Sequence, residues 1–391
     1  MAAINYAKEY SNALANAYPY VLNFGALFST PNNGRYRWVN AKTVEIPSIT
    51  TTGRVPANRD SIGTAQRNYD NAWETKTLNN QRKWSTLVHP ADISQTNEVA
   101  TISNITQTFN ETQKFPEMDA YCVSKVYYDW SALGNTADTT ELTVNNVLTV
   151  FDNLMLAADN ANVPANGRIL YVTHEVKNLI KNAKDITRSL ELKDGNTAIT
   201  RSVSRIDEVD VVGVPATLMK SAYDFTTGFT PAAGAAQINM FLVHPMSVIT
   251  PVAYTFAKLD EPSAGSEGKY MYYEESFEDT FILNKRAGGI QFNVSALTTL
   301  TVTSAAGTAS GDTALTVSPS AASSHSYVYN IGTTAQPYPM YGEKITTGTT
   351  WTAWNGSDDI TAATGKKLVL VELDANGRAV GAGTATVTAH A

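Results

Sequence analysis

Apolar side chains recur at Val144, Val147, Leu148, Phe151, Leu154, Met155 and Ala158. That is the i, i+3, i+4, i+7 stripe of an amphipathic helix, which must end before Pro164. A second helical spacing runs through Val99, Ile102, Ile105 and Phe109, inside a longer stretch from Asn97 to Trp130. Ser94 or Thr96 can cap its start, and Pro116 interrupts it. A third, short helix is predicted from Thr173, with Val176, Leu179 and Ile180 on one face. Period-two runs predict strands at Thr43 to Ile49, Arg168 to Val172, Val209 to Val214, Ile238 to Val243, Ser247 to Phe256, Lys269 to Asn284 and Ile290 to Val294. Helices and strands mixed in one block predict an α+β body.

Two segments fit no local core. Residues 1–40 carry Pro19, Pro31 and the turn Asn33-Gly34, with a short helix possible over Tyr6 to Leu14. Leu22, Phe24, Leu27 and Phe28 there either bind a neighbouring surface or pack back on their own chain. The stretch from Gly53 to Thr75 is polar and long, flanked by candidate strands at Ala72 to Leu78 and Lys83 to Val88. It reads as a protruding β-hairpin loop, and loops of that length inside a compact domain usually have a job.

The pattern changes near residue 297. Beyond Ser295 to Thr303 the chain is rich in Thr, Ala, Gly and Ser, with alternating runs at Ala314 to Val317, Tyr327 to Asn330, Leu368 to Leu373 and Thr384 to Thr388. Turn signals at Gly311-Asp312, Asn355-Gly356 and Asn376-Gly377 complete the signature of a small all-β sandwich or barrel.

Composition narrows the function classes. Of 391 residues, 43% are hydrophobic and 17% charged, the latter below the usual ~25%. A surface poor in charge suits contact with other protein copies. The net charge of -7 gives no footprint for tight nucleic-acid binding. The single cysteine, Cys122, excludes an intrachain disulfide and reads as a core thiol. The opening residues lack the basic and apolar runs of a signal peptide, and no run of ~18 apolar residues predicts a membrane span.

Catalytic and metal motifs are missing from the sequence. No phosphate loop or dinucleotide fingerprint occurs. His174-Glu175 begins like a zinc-binding helix, but Asn178 stands where the second histidine belongs. His89, His244, His325 and His390 show no ligand spacing, so no metal or cofactor is expected. Glu274, Glu275, Glu278 and Asp279 form an acidic run that reads as a solvated strand face or a charged subunit contact. Arg54, Arg59, Arg67, Lys76, Arg82 and Lys83 make the polar excursion positive, either for contact with acidic groups on a neighbouring copy or simply as a solvated loop.

Several segments, in order, resemble the major capsid proteins of tailed bacteriophages. They are Thr43 to Thr50, Trp73 to Leu78, Asn97 to Ala100 with Pro116 to Lys125, Arg168 to Val176, Val212 to Pro215, Phe241 to Val248, and Tyr272 to Val294. The resemblance implies the Hong Kong 97 phage capsid fold. Residues 1–40 would be an N-terminal arm, 41–96 a strand and extended loop, and 97–140 the spine helix of a peripheral domain. Residues 141–260 would be an axial domain, 261–297 returning peripheral strands, and 298–391 an immunoglobulin-like or decoration-like C-terminal domain. It further implies hexamers and pentamers of the chain in an icosahedral shell, assembled in a host cytoplasm. A separate scaffolding protein, a portal protein and packaged double-stranded DNA held by non-specific contact would be its partners. The alternatives are an encapsulin-like compartment shell, an enzyme using Glu274, Glu278 and His244, and a bacterial surface protein.

Overall fold

The computed structural model describes residues 21–54, 56, 67–96, 101–183, 203–348 and 350–391. Arg59, the candidate helix over Tyr6 to Leu14 and the residues 97–100 lie outside them. The chain divides into two units, Met1–Pro116 with Pro245–Arg286, and Glu117–His244 with Ala287–Ala391.

In the first unit, strands Thr43–Thr51 and Tyr69–Thr77 form a long antiparallel ribbon, in register from Thr43 opposite Thr77 to Thr51 opposite Tyr69. The short strand Arg37–Asn40 pairs with its base. The polar excursion is therefore closed by Thr43–Thr51 and Tyr69–Thr77, not by the two strands that follow it. The predicted strand at Lys83 to Val88 belongs instead to a second sheet, Gln81–Val88, in the order Val252–Asp260, Tyr270–Glu278, Gln81–Val88. An alternating pattern identifies a strand but not its partner.

The segment after Asn23 packs on its own unit. Phe24 and Leu27 are fully buried. Thr30 donates its hydroxyl to the Pro245 carbonyl at 2.8 Å, and Asn33 exchanges two hydrogen bonds with Thr250. Of the two readings the sequence left open for these apolar residues, the second holds for Phe24 and Leu27.

The long helix begins at Ile102, and its cap is Thr101, whose hydroxyl accepts from the Asn104 N–H. Ser94 and Thr96 belong to a separate short helix, Pro90–Gln95, and its end. Pro116 does not interrupt the run, which continues to Ala132. Just ahead of it, Asn110–Lys114 forms a π turn, and the Phe115 N–H reaches back five residues to the Asn110 carbonyl. Proline lacks the N–H for the usual four-residue bond and its ring crowds that carbonyl. A wider turn at that point accommodates both.

The second unit is built on a five-stranded sheet in the order Ile290–Ser295, Gln237–Val243, Ile169–Thr173, Val209–Val214, Arg205–Ile206. Only Ile169–Thr173 and Val209–Val214 run parallel. Helices Val147–Asn160 and His174–Asn182 close one core with Phe151, Leu154, Ile180, Leu170, Val211 and Met240. The stripe starting at Val144 thus forms a helix from Val147, one turn later than its pattern begins. Thr173 caps the shorter helix, accepting from the Val176 N–H.

The C-terminal part forms two sheets. Five strands are ordered Thr298–Thr299, Ala379–Thr386, Lys367–Leu373, Ser326–Gly332, Thr352–Trp354, and three are ordered Thr301–Ala306, Asp312–Ser318, Ile360–Thr361. Leu300, Val302, Trp354, Leu368 and Leu370 share the core between them. The other face of the larger sheet is also covered: Val369 and Val371 pack with Ile345, Tyr338 and Trp351. Lys367–Leu373 is consequently buried on both faces, which is why it reads as a continuous apolar run. Where Ala379–Thr386 crosses the chain at Leu300, a Cβ on Gly383 would overlap the Leu300 carbonyl oxygen. Glycine permits that approach.

The covering segment also bonds to the rest of its unit. The Gly234 N–H donates to Pro339 at 3.2 Å and the Tyr341 N–H to Ala235 at 3.3 Å. Lys220 sits nearby. Burial, then Arg378, holds its ammonium below the ordinary lysine range, while Glu175 and Glu343 pull the other way. A lysine depressed in the folded state destabilises that state while charged, and the penalty fades as pH rises towards the unfolded value. Lys220→Met should therefore raise the melting temperature at pH 7, with the gain shrinking as pH approaches 10.5. Thermal melts across that range check this.

Candidate subunit-contact surface

Period-two geometry divides the predicted acidic run between environments. In the sheet of Val252–Asp260, Tyr270–Glu278 and Gln81–Val88, Glu274 lies opposite Trp84 and Tyr272 opposite Thr86. Directly opposed residues share a face. This face is covered by the first part of the long helix: the Trp84 and Phe109 rings stack at 3.9 Å, and Lys114 pairs with Glu274 at 3.1 Å. Glu274 also accepts the Tyr272 hydroxyl at 2.8 Å. It is 8% exposed and neutralised within its own unit. Arg82, opposite Ser276, belongs to the same face.

Glu275 points the other way. Lys83 and Phe256 flank it on the two neighbouring strands, with Ser85, Tyr273 and Lys258 in the next row and Leu87, Met271 and Asp260 beyond. Glu275 accepts hydrogen bonds from Tyr273, at 2.6 Å, and from Gln81. These bonds hold its carboxyl below the ordinary glutamate range. This second face leaves Leu87, Met271 and Phe256 substantially exposed. Glu278 ends the strand. Asp279 is buried, its carboxylate accepting the N–H groups of Asn79 and Thr280, both at 2.8 Å.

The predicted basic residues also separate. Arg54 and Arg67 are exposed beyond the last rungs of the ribbon. Arg67 donates to the Tyr69 carbonyl at 3.3 Å and lies 5.2 Å from the Tyr69 ring centre. Lys76 is instead tied to the ribbon's base, pairing with Glu74 at 2.9 Å and donating to Asn284 at 2.9 Å. His244 is buried at the end of Gln237–Val243 in the second unit, whereas Glu274 and Glu278 belong to the first. Among the described residues no group of histidine, cysteine and carboxylate side chains has the arrangement to hold a metal.

Sequence reasoning missed the apolar members of this surface. Ile49, Tyr69, Trp73, Trp38 and Val39 are exposed on the ribbon and its flanking strand, and Val252, Tyr254 and Phe256 on the edge strand. Their alternation is the signal of a half-buried sheet; what covers them is not written locally. Arg37 lies over the Trp73 ring at 4.0 Å and pairs with Glu45 at 3.0 Å, which shields only part of it.

The architecture is that of phage head proteins. The chain is similar to the capsid protein of the cyanophage P-SCSP1u, with TM-score 0.54 and 12% identity over 73% of this chain and 92% of that one. It is similar to the mature capsid of bacteriophage PhiM1, with TM-score 0.52 and 10% identity over 74% and 91%. The head structure of Helicobacter pylori bacteriophage KHP40 gives TM-score 0.50 and 12% identity over 74% and 94%. The fold is therefore the mixed α+β capsid fold with a long helix, followed by a β-rich C-terminal domain. Residues 305–390 match the family model of the S-layer protein SbsC C-terminal domain. No protein of curated function matches the chain.

Two outcomes follow from the helix-covered face. Lys114→Met leaves the Glu274 carboxylate without its cation and should cost about 1–2 kcal/mol, reduced from a fully buried pair because Lys114 is partly exposed; chemical denaturation measures it. Burial, and then the bond to Glu274, pushes the Tyr272 phenol up to about 12 from 10.0. The stabilisation from keeping this phenol protonated is complete below pH 10 and is lost as pH rises through 12. Absorbance titration should show a late-ionising tyrosine that Tyr272→Phe removes.

Proposed function

We propose that this chain is the major capsid protein of a tailed bacteriophage, a structural tile and not a catalyst. Copies of it form an icosahedral shell enclosing double-stranded DNA, and its place is the virion. The observation that carries this reading is the ribbon Thr43–Thr51 and Tyr69–Thr77. Beyond its base it is two strands thick and exposes Ile49, Tyr69 and Trp73 to solvent. A two-stranded ribbon is marginal alone and gains stability by lying on another surface. Overlapping tiles supply that surface.

In this reading the ribbon is the extended loop, the run from Ile102 to Ala132 is the spine helix, and the axial domain at capsomer centres is shortened from residues 141–260 to 141–244, because Val252–Asp260 pairs in the first unit's sheet. Of residues 261–297, Tyr270–Glu278 returns to the peripheral sheet beside Gln81–Val88, whereas Ile290–Ser295 pairs with Gln237–Val243 in the axial sheet. The front of the chain is the N-terminal arm, anchored by Phe24 and Leu27. The tail domain is immunoglobulin-like and stands on the outer surface. Arg54, Arg59, Arg67 and Lys83 meet carboxylates of neighbouring copies, and Glu275 and Glu278 meet cations; Arg82, on the face that the helix covers, does not. Lys76, Glu274 and Asp279 support these contacts from within. A separate scaffolding protein sets the curvature, a portal protein occupies one vertex, and DNA is held without sequence preference.

The experiment is direct. The full chain, alone and with a phage scaffolding protein, is examined by sedimentation and negative-stain electron microscopy. Five- and six-membered rings and closed shells are expected. A monomer at every concentration in both settings overturns the reading. In the assembling sample, Arg54→Glu with Arg67→Glu should raise the concentration needed for assembly at least ~10-fold, as like charges facing across an interface cost several kcal/mol.

A further inference from the structure

At the base of the ribbon lies a groove of about 270 Å³ that the contacts described so far leave open. Its floor is apolar, with Ile46, Ile249 and Leu283. Its rim is cationic, with Arg35, Lys285 and Arg286. Arg286 is committed to the Met246 carbonyl at 2.9 Å and the Asn32 side-chain oxygen at 3.3 Å. Arg35 and Lys285 are exposed and have no ion-pair partner among the described residues. The one carboxylate at the groove, Glu74, is already paired with Lys76. On a chain of net charge -7 this is a local concentration of unneutralised positive charge beside an apolar floor.

The same unit carries a segment of the opposite character. Strand Val252–Asp260 ends in Asp260, followed by Glu261 and Pro262, at the turn of its hairpin with Tyr270–Glu278. Glu261 and Pro262 are exposed, and Glu261 has no ion-pair partner among the described residues. The Asp260 side chain is 42% exposed and is held at 2.7 Å by Lys258, itself exposed. The strand leading to this tip presents Val252, Tyr254 and Phe256 to solvent, the two rings stacked at 6.4 Å. A tip with two carboxylates and a proline, on an apolar-sided hairpin, matches a groove with two free cations and an aliphatic floor. Among other acidic turns, Asp207-Glu208 is flanked by Arg205, which donates to the Glu208 carbonyl and pairs with Asp210, and in Asp358-Asp359 the Asp359 carboxylate already accepts the Thr308 N–H at 2.5 Å. Neither turn carries a proline to lay on the floor.

We propose that this groove receives the tip Asp260–Pro262 of a second copy of the chain. Pro262 lies on the Ile46, Ile249 and Leu283 floor, and Asp260 and Glu261 face Arg35 and Lys285. Groove and tip are different patches of one surface, so the contact is head-to-tail. Such contacts close into rings when the rotation permits. The inference rests on the shell reading and names one of its joints.

Charge reversal tests it on the full chain. One variant carries Arg35→Glu and Lys285→Glu, a second Asp260→Lys and Glu261→Lys, and a third all four. Sedimentation velocity against protein concentration reads the half-assembly point. Either pair alone should raise that point at least tenfold, and the four-fold variant should return to within a few-fold of the wild type. Recovery in the four-fold variant also shows that the pairs fold. If the wild type assembles and either pair assembles like it, or the four-fold variant fails to recover, the tip-in-groove contact is wrong while the shell stands. If the wild type itself never assembles, the shell reading falls first.

Discussion

Each strand of a two-stranded ribbon has one bonded neighbour and no layer above or below it. Half of its backbone N–H and C=O groups and most of its side chains must find partners elsewhere or stay in water. Past the rungs flanked by Arg37–Asn40, residues 46–51 and 69–74 extend this state over six paired positions. Apolar burial at roughly 25 cal/mol per Å² is the main stabilising term available to a protein. A ribbon showing Ile49, Tyr69 and Trp73 to solvent leaves that term unused in the isolated chain. The remainder of the first unit is arranged around holding the ribbon's base: Lys76 and Glu74 bond to Asn284, and Val44 and Leu78 are buried with Ile249 and Phe281. The base is rigidly built and the far end is left for something else to cover.

Elements whose character is set by their own residues were legible in the sequence. Val209–Val214 has the predicted bounds, and the stripe from Val147 to Ala158 forms its helix. Partnership was less legible. Ala72 to Leu78 and Lys83 to Val88 are adjacent and both alternate, yet one completes the ribbon and the other joins a different sheet, because nothing in either run specifies its neighbour. Helix starts depended on which hydroxyl reaches an N–H, and Thr101 does so where Thr96 closes the preceding turn. At Pro116 the local rule was sound, but the backbone had a second response, a wider turn instead of a break.

The candidate surface was legible in residue type and not in orientation. Glu274 and Glu275 are adjacent and chemically near-identical. One is sealed under Lys114 and Tyr272; the other stands beside Lys83 and Phe256 in the open. The difference comes from a helix packing on one side of the sheet, a tertiary fact no window of sequence contains. Asp279 shows the same limit: it reads as part of a charged face and serves as an acceptor for two backbone N–H groups.

The C-terminal domain joins the body by more than the single pass of chain near Leu297. The segment that roofs its larger sheet is also stitched to Gly234 and Ala235. A graft or truncation made at the covalent seam alone would tear a second, non-covalent seam and strip one side of Lys367–Leu373. Modular as its sequence looks, this domain is an organ with two attachments, and exchanging it between proteins means transplanting the bed at Gly234 and Ala235 along with it.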